Sequence, residues 1–179
     1  MKNVRWLAAA LLLGLAAGGC VLVSGQFLID FELKNFAVST SAAVTKEDVD
    51  LTTEGDYNDH KNDLKGLADV AVLGKITNTG SSDIGVEVWM TPGTTNYLTP
   101  SQVTTNGTKL WGPFNVAVGK TKQVGWNESA ALFSSTGKAL LISEIKGDGQ
   151  FTIYAIANAA TYQFQVEDGV LALVIDFGK

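Results

Sequence analysis

Arginine is all but missing from this sequence: Arg5 is the only one, and Cys20 and His60 are the only cysteine and the only histidine. Each shortage excludes something. With no second cysteine, no disulfide can form within the chain, so core burial and strand pairing have to hold the fold. A serine triad or a cysteine protease needs histidine beside a nucleophile and an orienting acid. The single His60 sits in the polar run Asp59-His60-Lys61-Asn62, which reads as a solvated helix face. One histidine and one cysteine cannot supply the usual ligands of a zinc site. No Gly-rich phosphate loop follows a strand, and Gly147-Asp148-Gly149 reads as a turn.

Long hydrophobic runs are also missing, except at the amino terminus. There Lys2 and Arg5 precede an apolar stretch from Trp6 to Ala17, and the small residues Gly18 and Gly19 lead into Cys20. This order is that of an export signal. Leu15-Ala16-Ala17-Gly18-Gly19-Cys20 resembles the lipobox of bacterial lipoproteins. The resemblance implies cleavage before Cys20, acyl chains on that cysteine and attachment to a membrane through them. With Val21 rather than Asp after the anchor, it implies the outer membrane in a Gram-negative host. The competing expectation is an uncleaved anchor: from Trp6 the apolar stretch can be read on through Val23, 18 residues in all, at the lower limit for a spanning helix.

Residues 1–19 are therefore read as a signal peptide, 20–26 as the lipidated cysteine with a short tether, and 27–179 as one domain. Without the signal, 11 lysines face 18 acidic residues, a side-chain charge of −7. That balance argues against nucleic acid as a partner, because phosphate binding needs a basic surface. The lack of arginine also removes the usual bidentate clamp for carboxylates and phosphates.

The domain reads as mainly β. Phe27, Ile29, Phe31 and Leu33 alternate with polar Asp30 and Glu32, and Ile84, Val86, Val88 and Met90 alternate with Glu87 and Trp89, the period of half-buried strands. Further strands are expected over 38–44, 49–51, 67–77, 110–118 and 122–126, the last two as a hairpin around Gly119-Lys120-Thr121. Asp168-Gly169 is a two-residue hairpin signal. With a second turn at Asn158-Ala159 it predicts a three-stranded meander, in which Phe164 lies between Ile153 and Leu173. Short helices are expected over 56–65, ended by Gly66, over 128–133, and over 137–145 with Ser134 or Ser135 as cap. Thr91 to Gly107, broken by Pro92-Gly93 and Pro100, is expected to be the longest loop.

Strands at this spacing point to an antiparallel β-sandwich with one or two short helices. Lys75 to Val86, an Asn-x-Gly turn leading into alternating apolar residues, resembles immunoglobulin-like bacterial surface domains. The layout from Cys20 through Ser24-Gly25-Gln26-Phe27 to Val49-Asp50-Leu51 is similar to envelope lipoproteins with no assigned activity. An immunoglobulin-like sandwich is what these resemblances imply.

Three candidate chemistries remain. Seven carboxylates fall within 17 residues from Glu47 to Asp63, and oxygen ligands at that density suit weak calcium binding. Asp48, Asp50, Asp56, Asp59 and Asp63 are the candidate ligands, and calcium is the one cofactor expected. The alternative is a solvated acidic surface. Trp89, on the Glu87 side of its strand, is the best candidate for a surface that binds a glycan or a protein. No catalytic residue is assigned. The enzymatic alternative is a carboxylate-dependent hydrolase of cell-wall or extracellular polysaccharide, which needs two acids converging in a cleft at roughly 5 to 9.5 Å. The expected function is a lipid-anchored, noncatalytic envelope protein with a protein or glycan partner or a structural role.

Overall fold

The computed structural model describes residues 24–33, 35–39, 44–159 and 161–178. The expected signal peptide, Cys20 and the residues up to 23 lie outside these, as do residues 40–43 of the strand expected over 38–44. In chain order the elements are β1 (Ser24–Leu33), β2 (Phe36–Ser39), β3 (Thr45–Asp50), α1 (Gly55–His60), β4 (Leu64–Asn78) and β5 (Ile84–Pro92). They continue with α2 (Pro100–Asn106), β6 (Thr108–Val116), β7 (Thr121–Val124), α3 (Trp126–Ala131), α4 (Ser135–Lys146), β8 (Gln150–Ala157) and β9 (Gln163–Gly178). Short 3-10 turns flank α1 at Leu51–Thr53 and Lys61–Asp63.

The strands make a β-sandwich of two antiparallel sheets. One is ordered β1-β9-β4-β7, with β2 also paired to β9, and the other β3-β8-β5-β6. The alternation of β1 places Ile29 in the core and leaves Leu28 half exposed on the other face. On β5, Ile84, Val86, Val88 and Met90 are buried as their period requires. β1 begins at Ser24 rather than Phe27, so only residues 21–23 separate the first strand from Cys20.

The expected hairpins are not there, and for two of the turns the reason is the same: the strands on either side belong to opposite sheets. β8 lies in the second sheet and β9 in the first, so the Asn158-Ala159 region carries the chain across the sandwich. β6 and β7 are divided in the same way, as are β4 and β5. Asp168-Gly169 does not reverse the chain; β9 runs straight through it. Leu73 pairs with Val170 and Lys75 with Glu167, leaving Gly74 opposite two residues, a β-bulge. Asp168 has φ 52° and Gly74 φ 134°, so the left-handed backbone that a hairpin would use bends the strand instead. A Cβ on Gly74 would also stand 3.0 Å from the Glu167 carbonyl oxygen. Phe164 is fully buried, yet its neighbours in register are Val38 and Asn78, not Ile153 and Leu173.

The helices close the open sides. The expected helix over 56–65 is shorter: α1 gives way to a 3-10 turn, and β4 has begun by Leu64. α2 lies inside the expected loop, where Pro100 starts a helix instead of breaking one. Thr99 Oγ1 accepts from the Gln102 backbone N–H, and Gln102 Oε1 accepts from the Thr99 N–H. This capping box with proline at the first helical position was present in the sequence as Thr99-Pro100-Ser101-Gln102. α4 follows its expectation, with Ser134 Oγ accepting from the Gly137 N–H at 2.9 Å. α3 packs against β4 beyond the end of short β7, where the Val72 N–H, free of a strand partner on that side, donates to Ser129 Oγ at 2.7 Å. The Tyr57 hydroxyl donates to the Ile145 carbonyl at 3.0 Å and ties α1 to α4.

Candidate functional site

The outer face of the second sheet gathers most of the polar and aromatic groups singled out in the sequence. Because Val86 and Val88 point between the sheets, Trp89 on the opposite side of β5 points outward. Strand register sets Trp89 beside Lys109 of β6 and Tyr154 of β8, and Tyr154 in turn beside Lys46 of β3. One row of side chains therefore crosses all four strands. Tyr97 of the loop after β5 stacks on Tyr154 with ring centroids 5.8 Å apart.

Hydrogen bonds fix this row. The Trp89 indole N–H donates to Glu87 Oε2 at 2.9 Å, and Lys109 Nζ lies 3.3 Å from Glu87 Oε1. Glu87 is buried, and a buried carboxylate needs such partners. Lys46 Nζ bonds Asp48 at 3.0 Å and the Thr95 carbonyl at 2.9 Å. The Thr152 hydroxyl donates to Asp48 Oδ1 at 2.7 Å, and the Thr95 hydroxyl meets those of Thr91 and Tyr154. These contacts pin the loop carrying Thr95 and Tyr97 onto the sheet. Trp89 and Tyr97 are half-buried and Leu98 is 63% exposed. The surface can offer aromatic faces and one apolar side chain to a partner, set in a frame of charges that already satisfy one another.

The five candidate calcium ligands are not brought together. Asp48 is engaged by Thr152 and Lys46. Burial pushes its carboxyl up, but those hydrogen bonds and the Lys46 charge more than offset this and hold it below the ordinary range. Asp50 caps the Leu51–Thr53 turn, and the Thr52 hydroxyl leads the groups that hold its carboxyl low. Asp56 and Asp59 are exposed on α1, and Asp63 lies in the following turn. Among the described residues no three His, Cys, Asp or Glu side chains are placed to hold a metal ion.

His60 is not on a solvated face. Its ring stacks on Phe177 at 4.1 Å and lies 5.4 Å from Phe27, helping to close the end of the sandwich where β1 starts. Two acids do approach each other at the carboxy-terminal end of α4: burial, with Asp148 nearby, pushes the Glu144 carboxyl up, and the Gly93 backbone N–H pulls the other way. Asp148 itself is exposed.

Among the described residues no helix is long and apolar enough to cross a membrane. No family model matches the chain, and no curated protein is significantly similar to it.

Proposed function

We propose that this chain is a lipid-anchored, noncatalytic protein of the bacterial envelope, held by acyl chains on Cys20, whose sandwich presents a binding surface for a protein or a glycan. The observation that carries the reading is the order Lys2 and Arg5, apolar stretch, Gly18-Gly19, Cys20, with three residues between Cys20 and the first strand. A domain starting at Ser24 has almost no stalk, since three extended residues span only about 10 Å. Such a domain stays at the membrane surface, with the β1 start and the α1 end nearest the bilayer. The outer face of the second sheet, with Trp89, Tyr97 and Leu98, is the surface offered to a partner.

Intact-mass analysis of membrane-extracted protein tests the anchor. The expected species begins at Cys20 and carries acyl mass, and Cys20→Ser removes that mass. Full-length chain without acyl mass overturns the reading in favour of an uncleaved anchor. The binding surface is tested by a glycan array and by cross-linking in intact cells, comparing the wild type with Trp89→Ala and Tyr97→Ala. Loss of the captured partner in both variants supports the surface, and unchanged capture in both refutes it.

A further inference from the structure

The two sheets do not meet everywhere. A cavity of about 290 Å³ lies between them, walled by aliphatic side chains of both, among them Val72, Val88, Ile153 and Val166, with Trp111 at its inner side. These four aliphatics keep 6–8% of their surface exposed, while most of the remaining core keeps 4% or less. These side chains therefore border empty space rather than close-packed neighbours. Half-buried Phe36 and Thr45 and exposed Asn35 line the cavity as well. They place its mouth between β2 and β3, the edge strands of the two sheets on that side.

We infer that this cavity binds a single unbranched hydrocarbon chain, the tail of an amphiphile such as a fatty acid, entering between β2 and β3 with its head group left in solvent. The lining decides the chemistry. The charged residues along it, Lys46 and Glu47, belong to β3 at the mouth. Lys46 Nζ is committed to Asp48 and Thr95, and Asn35 Oδ1 accepts the Asp168 N–H. The interior thus offers a polar head nothing to replace its water, while water itself finds too few partners there to be well held. A void of this kind forfeits dispersion contacts along its walls, which a hydrocarbon restores. An apolar cavity of about 150 Å³ accepts benzene, and on that scale this one takes about a dozen carbons. This inference concerns the core of the sandwich, and stands apart from both the Cys20 anchor and the outer face.

The test uses the full chain carrying Trp6→Phe in lipid nanodiscs, so that the apolar amino-terminal stretch brings no tryptophan to the lipid whether or not it is cleaved. The probe is dodecanoic acid brominated at its terminal carbon, because bromine quenches tryptophan emission on contact and Trp111 lines the cavity. The expected result is saturable quenching that disappears in Trp111→Phe, where only tryptophans outside the cavity remain. Native mass spectrometry should show one retained probe molecule. Ala155→Leu, which grows into the same space from the second sheet, should abolish the quenching while melting cooperatively. Val124→Phe does the same from the first sheet, so that misfolding of one variant leaves the other to decide. Quenching that never saturates, that survives Trp111→Phe unchanged, or that persists in a folded, cavity-filled variant overturns the inference.

Discussion

The indole N–H of Trp111 lies 3.0 Å from the Ser129 hydroxyl oxygen and 3.1 Å from the Ser129 carbonyl. That hydroxyl also accepts the Val72 N–H, so one fully buried serine joins β4 of the first sheet to β6 of the second. In Ser129→Ala the Trp111 indole keeps the carbonyl as partner, but the Val72 N–H is stranded. An unsatisfied buried donor costs about 1 to 3 kcal/mol. Urea unfolding should show a loss in that range with an unchanged m-value; a loss under about 0.5 kcal/mol would mean that the sheets do not depend on this link.

Gly137 reverses an ordinary rule. Glycine to alanine inside a helix normally stabilises by roughly 1 kcal/mol. Here the added Cβ would stand 2.6 Å from both the Leu110 Cα and the Lys109 carbonyl oxygen, backbone atoms of β6 that cannot swing aside. Gly137→Ala should destabilise by about 1 to 3 kcal/mol, as overpacking does, and a thermal melt reads the sign directly.

Phe164→Ala removes a fully buried ring beside Phe36, with ring centroids 6.4 Å apart. The expected cost is about 3 to 5 kcal/mol, a large part of a typical domain's stability. Because Val38 is its register partner, Val38→Ala should couple to it in a double-mutant cycle, whereas Ile153→Ala, in the other sheet, should couple less. Equal coupling would contradict the sheet order.

Two carboxylates set opposite slopes of stability with pH. The Trp126 indole N–H, 2.7 Å from Asp69 Oδ2, holds the Asp69 carboxyl low, helped by the Val70 N–H. A depressed folded pKa contributes stability that is complete above the unfolded value, about 3.9, and is lost as pH falls through the lower folded one. Glu144, raised by burial and Asp148, does the reverse: its favourable contribution is complete below about 4.3 and is lost as pH rises through its folded pKa. Trp126→Phe should therefore lower the melting temperature more at pH 6 than at pH 3. Glu144→Gln should raise it more at pH 7 than at pH 4. The opposite ordering in either pair would show that the group does not feel the surroundings described.

Asp48 and Asp50 are committed to hydrogen bonds and Asp56 and Asp59 are exposed on α1, an arrangement that favours a solvated surface over a calcium site. Millimolar calcium should raise the melting temperature no more than sodium chloride at matched ionic strength, the increment then being screening alone. A calcium-specific increment, abolished by Asp50→Asn with Asp56→Asn, would show that the ion gathers ligands that stand apart without it.

What could be read from the sequence was local. Alternation found β1 and β5, Ser134 announced α4, and the period of β5 put Trp89 on the face opposite Val86 and Val88. Asp168-Gly169 shows where such reading ends. A left-handed backbone at Asp168 serves a hairpin or a bulge equally well, and what decides is the pairing of β9 with β1, β2 and β4, far away in the chain. Among the described strands only β5 and β6 pair as neighbours in sequence, so the usual expectation that successive strands lie side by side misleads. The outer row of Lys109, Trp89, Tyr154 and Lys46 depends on the same distant pairings. The cavity depends further on how side chains from two sheets fail to fill the space between them, which no strand pattern encodes. The α2 capping box, by contrast, was legible and was masked by the breaking power assigned to Pro100.

β1 closes against β9, with Gln26 bonded to Asp176 across 150 positions. At synthesis rates of about 5 to 20 residues per second, roughly 8 to 30 seconds separate the appearance of these two strands. For at least that interval β1 lacks the partner it has in the sheet, and its apolar residues are open to other chains. Ser24 and Gly178 are register partners in the finished sheet, so a short linker joining them, with the chain opened at an exposed turn elsewhere, makes the two strands consecutive. The folded sandwich would be unchanged and the wait reduced to about a second or two, making biogenesis, rather than stability, the property that this topology governs.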